Sequence, residues 1–261
     1  MKKLKIFSLI IFVLFIFTYV IVDARAGWGG SSGSGDGGWA IWAVIAWLIY
    51  AIYEIRRRKM IKKAKKDLEE ALKSDSTWNI KSLKEDVKNV FSKYQIARWE
   101  KDLTSVKHLM TKKYYEKAKK IMDKKLSWKI NIIKDIKIHE MNLMSVRDMP
   151  GRDWDMFAME VSASMIDYTI NEKTWKFIRS TMPKRKNETN LSYQNRAMTS
   201  ASEFKEYYIF IRYDWKWLLN NIKEKFSIVW DIISLKEKDL RKVLEQEEST
   251  DYVDDSVFYK D

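Results

Sequence analysis

The sequence predicts an α+β fold in which helices pack on one curved antiparallel sheet, preceded by one or two membrane segments. Between Lys62 and Leu126 the apolar residues recur every three or four positions, which is the period of a helix that buries one face. After residue 128 the apolar positions alternate with polar ones, as in a strand with one face in a core. Because a run of helices precedes a run of strands, we expect the two to form layers of one domain.

Residues 1–26 have the pattern of a secretory signal peptide. Three lysines within the first five residues precede an apolar run from Ile6 to Val22, and Ala24-Arg-Ala26 supplies a small-x-small cleavage site. The run is long for a signal peptide, so an uncleaved signal anchor is the alternative. Residues 27–38 follow as a glycine–serine linker, a composition that gives a flexible coil without a core.

A second apolar run, residues 39–55, would extend for about 25 Å as a helix, enough to cross a thin bilayer core. A basic juxtamembrane helix is expected at residues 56–77. Its positive charge predicts a single-pass protein of the bacterial inner membrane, with the domain at residues 78–224 in the cytoplasm. The residues expected to contact acidic phospholipid are Arg56, Arg57, Arg58, Lys59, Lys62, Lys63, Lys65 and Lys66.

The composition excludes several kinds of active site. The chain has no cysteine, so disulfides, thiolate metal sites and thiol nucleophiles are excluded. His139-Glu140 begins like a zinc-protease motif, but Leu143 stands where the second histidine is needed. Gly151 is the only glycine after residue 38, so the sequence has no phosphate-binding glycine loop. We therefore expect a protein that is not an enzyme and that uses no metal and no cofactor.

The net charge of +13 is unevenly distributed along the chain. Eight positive charges and no negative charge lie between Arg56 and Lys66, directly after an apolar run, whereas the segment from Glu245 to Asp261 is acidic. A basic block in that place is typical of a membrane boundary, and a uniformly basic surface would be needed to indicate DNA. We expect an acidic membrane surface and not DNA as the partner of this block.

The helical part of the domain has recognisable start and stop signals. Asp75-Ser76 is expected to end one helix, and the next is expected to begin near Ile80. A lysine-rich helix is expected at Lys112–Lys125. The apolar stripe of the second of these helices consists of Leu83, Val87, Val90, Phe91, Tyr94 and Ala97.

The strands follow from period-two patterns. Glu160 and two serines alternate with an apolar set, which is Phe157, Met159, Val161, Ala163 and Met165. In a later strand Tyr208 and Phe210 alternate with Tyr207, Ile209 and Ile211. Residues 149–153 are expected to form the turn between the first two strands, and residues 181–202 a long polar loop. Residues 225–261 are expected to add a strand or helix and an acidic tail.

Four short segments resemble a known family. They contain Trp99, Asp102 and Leu103 on a helix, then Asp167-Tyr168, Glu206-Tyr207 and Trp217-Leu-Leu219 on strands. Their order and spacing resemble the C-terminal domain of subunit 44 of the mitochondrial inner-membrane translocase, the import-motor tether, and its bacterial relatives. The chain departs from the family pattern at Arg98, where the family has alanine, and at Tyr208, where it has tryptophan.

The resemblance implies a cone-shaped domain of the nuclear-transport-factor-two superfamily, with an apolar pocket between sheet and helices. It also implies a scaffold that contacts acidic phospholipid and a partner protein at a site of protein translocation or membrane-protein assembly. The pocket or core aromatic residues would be Trp99, Phe157, Tyr168, Tyr208, Phe210 and Trp217, of which we expect Trp99, Tyr168 and Trp217 to pack in the core. The acidic motif residues would be Asp102, Asp167 and Glu206, and we expect Asp102 and Asp167 to cap or pair within the domain.

Three other functions remain open on the sequence. A secretion-channel scaffold would have the same superfamily fold with the domain facing outward, which the arginines after Ile55 oppose. A ribosome-docking receptor would use the positive charge. A small-molecule enzyme on the same fold would need an acid–base pair, and Asp167 or Glu160 with His139 would be the pair.

Tryptophan and glycine are used abnormally. The chain has twelve tryptophans and eight glycines, and seven of the glycines lie within residues 27–38. We hypothesise that the gene is read with UGA as glycine and that the printed tryptophan is a translation artefact at some positions. The alternative is a tryptophan-rich protein with interfacial anchors at residues 39 and 42. Trp99 and Trp217 are expected to be true tryptophans, and the candidates for glycine are Trp28, Trp39, Trp47, Trp128, Trp175 and Trp215.

Overall fold

The computed structural model describes residues 37–125, 129–149 and 154–224. The predicted signal peptide, most of the linker, the positions of Trp28 and Trp128, and residues 225–261 lie outside the described residues. The chain forms two compact units, residues 1–59 and 60–261.

Helix α1 (Gly37–Ser74) contains both the apolar run and the basic block, for which two separate helices were predicted. It ends directly before Asp75, as predicted. In the part of the chain that the structure describes, no helix is both long enough and apolar enough to cross a membrane. This result gives no support to the transmembrane segment at residues 39–55, which stays a prediction.

Helix α2 (Ile80–Glu100) begins where the sequence predicts. The Asn79 side chain accepts a hydrogen bond from the Lys81 backbone N–H at 2.9 Å, which satisfies a donor that the first helical turn leaves without a partner. The helix ends at Lys101, which has the left-handed backbone conformation with φ 59°. The predicted stripe is buried throughout, except for Tyr94, which is half-buried.

A short 3₁₀ helix (Thr104–Leu109) and helix α3 (Lys112–Lys125) complete the helical layer before the sheet. Asp102 precedes the 3₁₀ helix, and its carboxylate accepts a hydrogen bond from the Thr104 backbone N–H at 2.8 Å. The Asp102 carboxylate is therefore bonded within the domain, although Leu103 is the N-cap residue of the 3₁₀ helix. Helix α3 has the bounds that were predicted from its lysine-rich pattern.

Five antiparallel strands form one sheet: β1 (Lys129–Arg147), β2 (Met156–Asn171), β3 (Phe177–Ser180), β4 (Ser202–Tyr213) and β5 (Lys216–Lys223). Their order is β1-β2-β4-β5, and β3 pairs with the end of β2 beyond the β4 pairing. Strand β1 is irregular at three places along its pairing with β2, and each place adds one residue on β1. Such bulges bend a strand, so the sheet curves as predicted.

The two faces of the sheet bury different sets of residues. On β2 and β4, Phe157, Met159, Tyr208 and Phe210 face the main core under the helices. The alternate positions form a smaller cluster with Met60, which consists of Met144, Met156, Ala158, Tyr207, Ile209 and Ile211. The predicted alternation in β2 and β4 is therefore confirmed.

Two predictions about this fold are wrong. The segment expected to be a polar loop at residues 181–202 contains helix α4 (Asn190–Thr199), whose first turn is capped by the Thr189 side chain. Trp99 was expected in the core, but 43% of its surface is exposed. It lies two residues after Ala97, which is off the three- and four-residue spacing of the buried stripe of α2. The turn predicted at residues 149–153 lies mostly outside the described residues.

Candidate functional site

A cavity of about 610 Å³ lies between the helical layer and one end of the sheet. Its size is within the range of small-molecule sites, which is roughly 300–1,000 Å³. Helix α3 contributes mainly apolar and aromatic lining residues, which are Tyr114, Ala118, Ile121 and Met122. Strands β1 to β3 contribute only polar ones, among them Lys129, Asn131, Asp167, Thr169, Arg179 and Ser180. The resemblance implies an apolar pocket, whereas the lining that β1 to β3 contribute to this cavity is polar.

Arg98 occupies the polar end of this cavity, at the last turn of α2. Its Nη1 donates to Gln95 Oε1 at 2.9 Å, and its guanidinium carbon lies 5.8 Å from the centre of the Tyr94 ring. The Tyr114 hydroxyl in turn donates to the Tyr94 hydroxyl at 3.3 Å. Contacts on two sides therefore restrict where the charged group of Arg98 can lie.

Gln95 connects Arg98 to the sheet. It is fully buried, and its Nε2 donates to the Tyr208 hydroxyl at 3.4 Å. The Tyr208 hydroxyl donates to Glu206 Oε2 at 2.9 Å. This relay joins Arg98 on α2 to Tyr208 on β4.

Burial raises the pKa of two carboxyl groups in this region, those of Asp167 and Glu206. Burial raises the pKa of Asp167, against the opposing effects of Arg98, a hydrogen bond with Asn131, and Arg179. Burial also raises the pKa of Glu206, although the Tyr208 hydroxyl and Arg98 act against the shift. Such groups hold a proton more readily than an exposed carboxyl, and they occur often at functional sites.

The structure brings together only part of the predicted site. Asp167 lines the cavity, and Glu206 and Tyr208 belong to the relay behind it. Phe157, Phe210 and Trp217 pack in the core: the Phe157 ring centre lies 4.8 Å from each of the other two. Tyr168 is half-buried and stacks on Phe177 at 6.3 Å, so it is not a cavity residue.

Four residues of the site were not predicted from the sequence: Gln95, Asn131, Tyr114 and Arg179. One signal for Gln95 was available, because it lies four residues after Phe91 and therefore on the buried stripe of α2. A fully buried amide needs hydrogen-bond partners, which indicates a polar network. The other three lie on separate elements, and only the folded chain brings them together.

The structure separates one of the two acid–base pairs that an enzyme would use, His139 with Asp167. His139 Nε2 lies 2.9 Å from Ser164 Oγ, and Ser164 and Glu160 project from the opposite face of β2 to Asp167. Glu160 accepts hydrogen bonds from Tyr207 at 3.0 Å and from Asn142 at 3.2 Å. Within the described residues no cluster of three or more histidine or acidic side chains could hold a metal ion.

The predicted lipid-contact residues form a basic surface on α1. Seven of the eight are exposed, and Arg57 is half-buried with its Nη1 3.6 Å from Glu54. Lys66 lies 3.5 Å from Glu70 in an exposed pair of the kind that contributes little to stability.

The fold and the cavity define the class of this protein: an α+β domain whose helices and curved antiparallel sheet enclose a partly polar cavity. Neither any protein-family model nor any curated protein matches the chain.

Proposed function

We propose that the chain is a non-enzymatic adaptor anchored in the bacterial inner membrane. In this proposal its α+β domain belongs with the translocase subunit 44-like domains and lies in the cytoplasm. There it binds a partner protein and acidic phospholipid at a site of protein translocation or membrane-protein assembly.

The observation that carries the proposal is the exposed apolar surface on the first half of α1. Large apolar side chains are exposed on several sides of this helix, at Trp42, Trp47, Ile49, Tyr50, Ile52 and Ile55. A contiguous apolar surface of this kind is typical of a segment that contacts lipid or another protein. A helix that is apolar on all sides favours lipid.

The basic residues support the same proposal. They begin at Arg56, directly after the apolar residues, and a lysine or arginine near an anionic leaflet contributes about 1 kcal/mol to membrane binding. Their position on one side of the apolar run also favours a cytoplasmic domain.

The test is binding of the full chain to vesicles with and without acidic phospholipid. Replacing Arg56, Arg57, Arg58 and Lys59 with glutamine is expected to weaken cosedimentation with acidic vesicles strongly and to leave neutral vesicles unaffected. The matched control removes four positive charges from α2, at Lys81, Lys84, Lys88 and Lys93. Equal loss in both variants would mean that only net charge matters, and no loss in either would refute the contact.

A further inference from the structure

We propose that the cavity binds a single-chain amphiphile with an anionic head group, and that Arg98 and Arg179 hold the head. The ligand class deepens the proposed function, because a membrane-anchored domain has such amphiphiles within reach. The inference itself rests on the lining of the cavity.

The two sides of the cavity suit the two parts of such a ligand. The lining residues from α3 include Ile121 and Met122, and Ile222 joins them from β5, so an alkyl chain would find apolar contacts there. The lining residues from β1, β2 and β3 are polar, and Arg179 lies among them on β3. A neutral lipid chain alone would leave this polar side without partners.

The charge of the polar end favours an anion. Arg98, Arg179, Lys117 and Lys129 line the cavity together with one carboxyl group, that of Asp167. Guanidinium groups bind carboxylate and phosphate oxygens with two parallel hydrogen bonds, which fixes the head in place. Burial raises the pKa of Asp167, which weakens the repulsion between this carboxyl group and a bound anion.

Arg98 is the specificity-determining residue in this proposal. Gln95 binds its guanidinium at 2.9 Å, and the relay through Tyr208 to Glu206 orients the Gln95 amide. A charged group that is already oriented loses less entropy when it binds a ligand.

The test uses a photoreactive fatty acid with the full chain in phosphatidylcholine nanodiscs, followed by mapping of the labelled peptides. We expect labelling on α3 and near Ile222, and about tenfold weaker labelling in the Arg98→Gln variant, as for a lost hydrogen bond to a charged group. Lys186→Gln, an exposed position in the segment before α4, is the matched control and is expected to label normally.

Two comparisons decide the ligand chemistry. The fatty alcohol of the same length should label weakly, and inorganic phosphate should not compete with the fatty acid. Equal labelling by the alcohol, competition by phosphate alone, or labelling confined to α1 would each overturn the proposal. Membrane association is measured by cosedimentation of the same chain, so a failure of the adaptor proposal is distinguishable from a failure of the cavity ligand.

A second inference has separate support in the backbone: we infer that residues 154, 175 and 215 are glycine in the protein as the cell makes it. The non-glycine residues with positive φ in the described parts of the chain are six, and three of them are Trp154, Trp175 and Trp215. Glycine adopts this region freely, whereas a bulky side chain makes it a rare outlier.

Residue 215 gives the sharpest case. Tyr213 and Lys216 are paired across β4 and β5, so Asp214 and Trp215 form a two-residue hairpin loop. Their φ angles are 45° and 65°, and positive φ at both central positions defines a type I′ turn. Asp-Gly is among the preferred sequences for this turn, and it results if residue 215 is glycine.

Residue 175 lies in the other short hairpin, between β2 and β3. Its backbone N–H donates to the Asn171 carbonyl at 2.8 Å, its φ is 56°, and 71% of its surface is exposed. Residue 154 has φ 77° and its N–H donates to the Arg212 carbonyl at 3.1 Å. The left-handed conformation is therefore built into three separate turns.

Trp78 and Trp217 contrast with these three. Neither has positive φ among the described residues, and their ring centres lie 4.9 Å apart within the main core. They are true tryptophans, so the inference separates two populations of one printed residue, as a reassigned UGA codon next to ordinary UGG codons would.

Peptide masses of the protein purified from its own cell test the inference. We expect glycine at positions 154, 175 and 215 and tryptophan at positions 78 and 217. Tryptophan at 175 and 215 would overturn it. In chains made in an ordinary host, Trp215→Gly and Trp175→Gly should raise the melting temperature, whereas Trp78→Gly should lower it, and a lower melting temperature for the two turn variants would also count against it.

Discussion

Arg212 on β4 binds Asp155, which directly precedes β2, with an Nη1–Oδ2 distance of 2.8 Å, and both residues are only 1% exposed. The same Nη1 lies 2.7 Å from Asp75 Oδ2, just after α1. Arg212 therefore connects the end of α1, through Asp75, to the sheet. Removing one partner from a buried ion pair leaves an uncompensated charge, so losing Arg212 should be strongly destabilising.

Replacing Arg212 with methionine is expected to lower the free energy of unfolding by about 3–5 kcal/mol, because Asp155 stays buried without its partner. Urea denaturation of the purified domain would measure the loss. The exposed Arg185→Met variant is the control and should change stability by less than about 0.5 kcal/mol. A loss under about 1 kcal/mol for Arg212→Met would show that the pair is dispensable.

The contribution of Asp75 should depend on pH. Although burial opposes the shift, hydrogen bonds from the Thr77 backbone N–H and from Arg212 lower the pKa of Asp75 to about 2. A lowered folded-state pKa stabilises the protein above the unfolded value of 3.8, and this stabilisation is lost as the pH falls towards 2.

Wild type should therefore be more stable than Asp75→Asn at pH 6, and the difference in free energy of unfolding should disappear by about pH 2. Denaturation at a series of pH values would measure it. A difference that is the same at pH 6 and at pH 2 would mean that the ion pair does not depend on the charge of Asp75.

Asp167 should show the opposite dependence. Because burial raises its folded-state pKa, the group stabilises the fold most at low pH, and that contribution is lost as the pH rises from 3.8 through the folded-state value. Asp167→Asn should be more stable than wild type at pH 8 and should lose that advantage at pH 3. Thermal unfolding at both values checks the prediction, and a variant that is less stable at pH 8 would contradict it.

The relay behind the cavity should depend on both of its ends. Tyr208→Phe leaves the half-buried carboxyl of Glu206 without its hydroxyl donor and the buried Gln95 Nε2 without its acceptor, and it should cost about 1–3 kcal/mol. Removing both partners in Glu206→Leu/Tyr208→Phe should recover part of this loss, because the Glu206 carboxyl is then absent and only Gln95 Nε2 has lost its partner. If the double variant loses more free energy of unfolding than the two single variants together, the relay does not act in this way.

The topology can be tested with single introduced cysteines, since the chain has none of its own. Ser34→Cys in the glycine–serine linker should react with an impermeant thiol reagent on intact cells. Ser200→Cys, at an exposed position after α4, should react only after lysis. The reverse pattern would favour the outward-facing secretion scaffold.

The amino-acid sequence by itself determined the local structure. The period of Leu83, Val87 and Phe91 predicted α2, and the alternation around Phe157 and Met159 predicted β2 with its inner face. These predictions succeeded because a helix or strand that buries one face has apolar residues at the period of that element. Helix α4 was not predicted because its ten residues are largely polar, and only Ala197 among them is buried.

Only the tertiary structure decided which residues share the cavity. Arg98, Asn131, Asp167 and Arg179 come from four elements, and no spacing in the chain reports that they meet. The spacing of apolar residues can be observed in the sequence, whereas contacts between distant side chains depend on how the helices pack on the sheet.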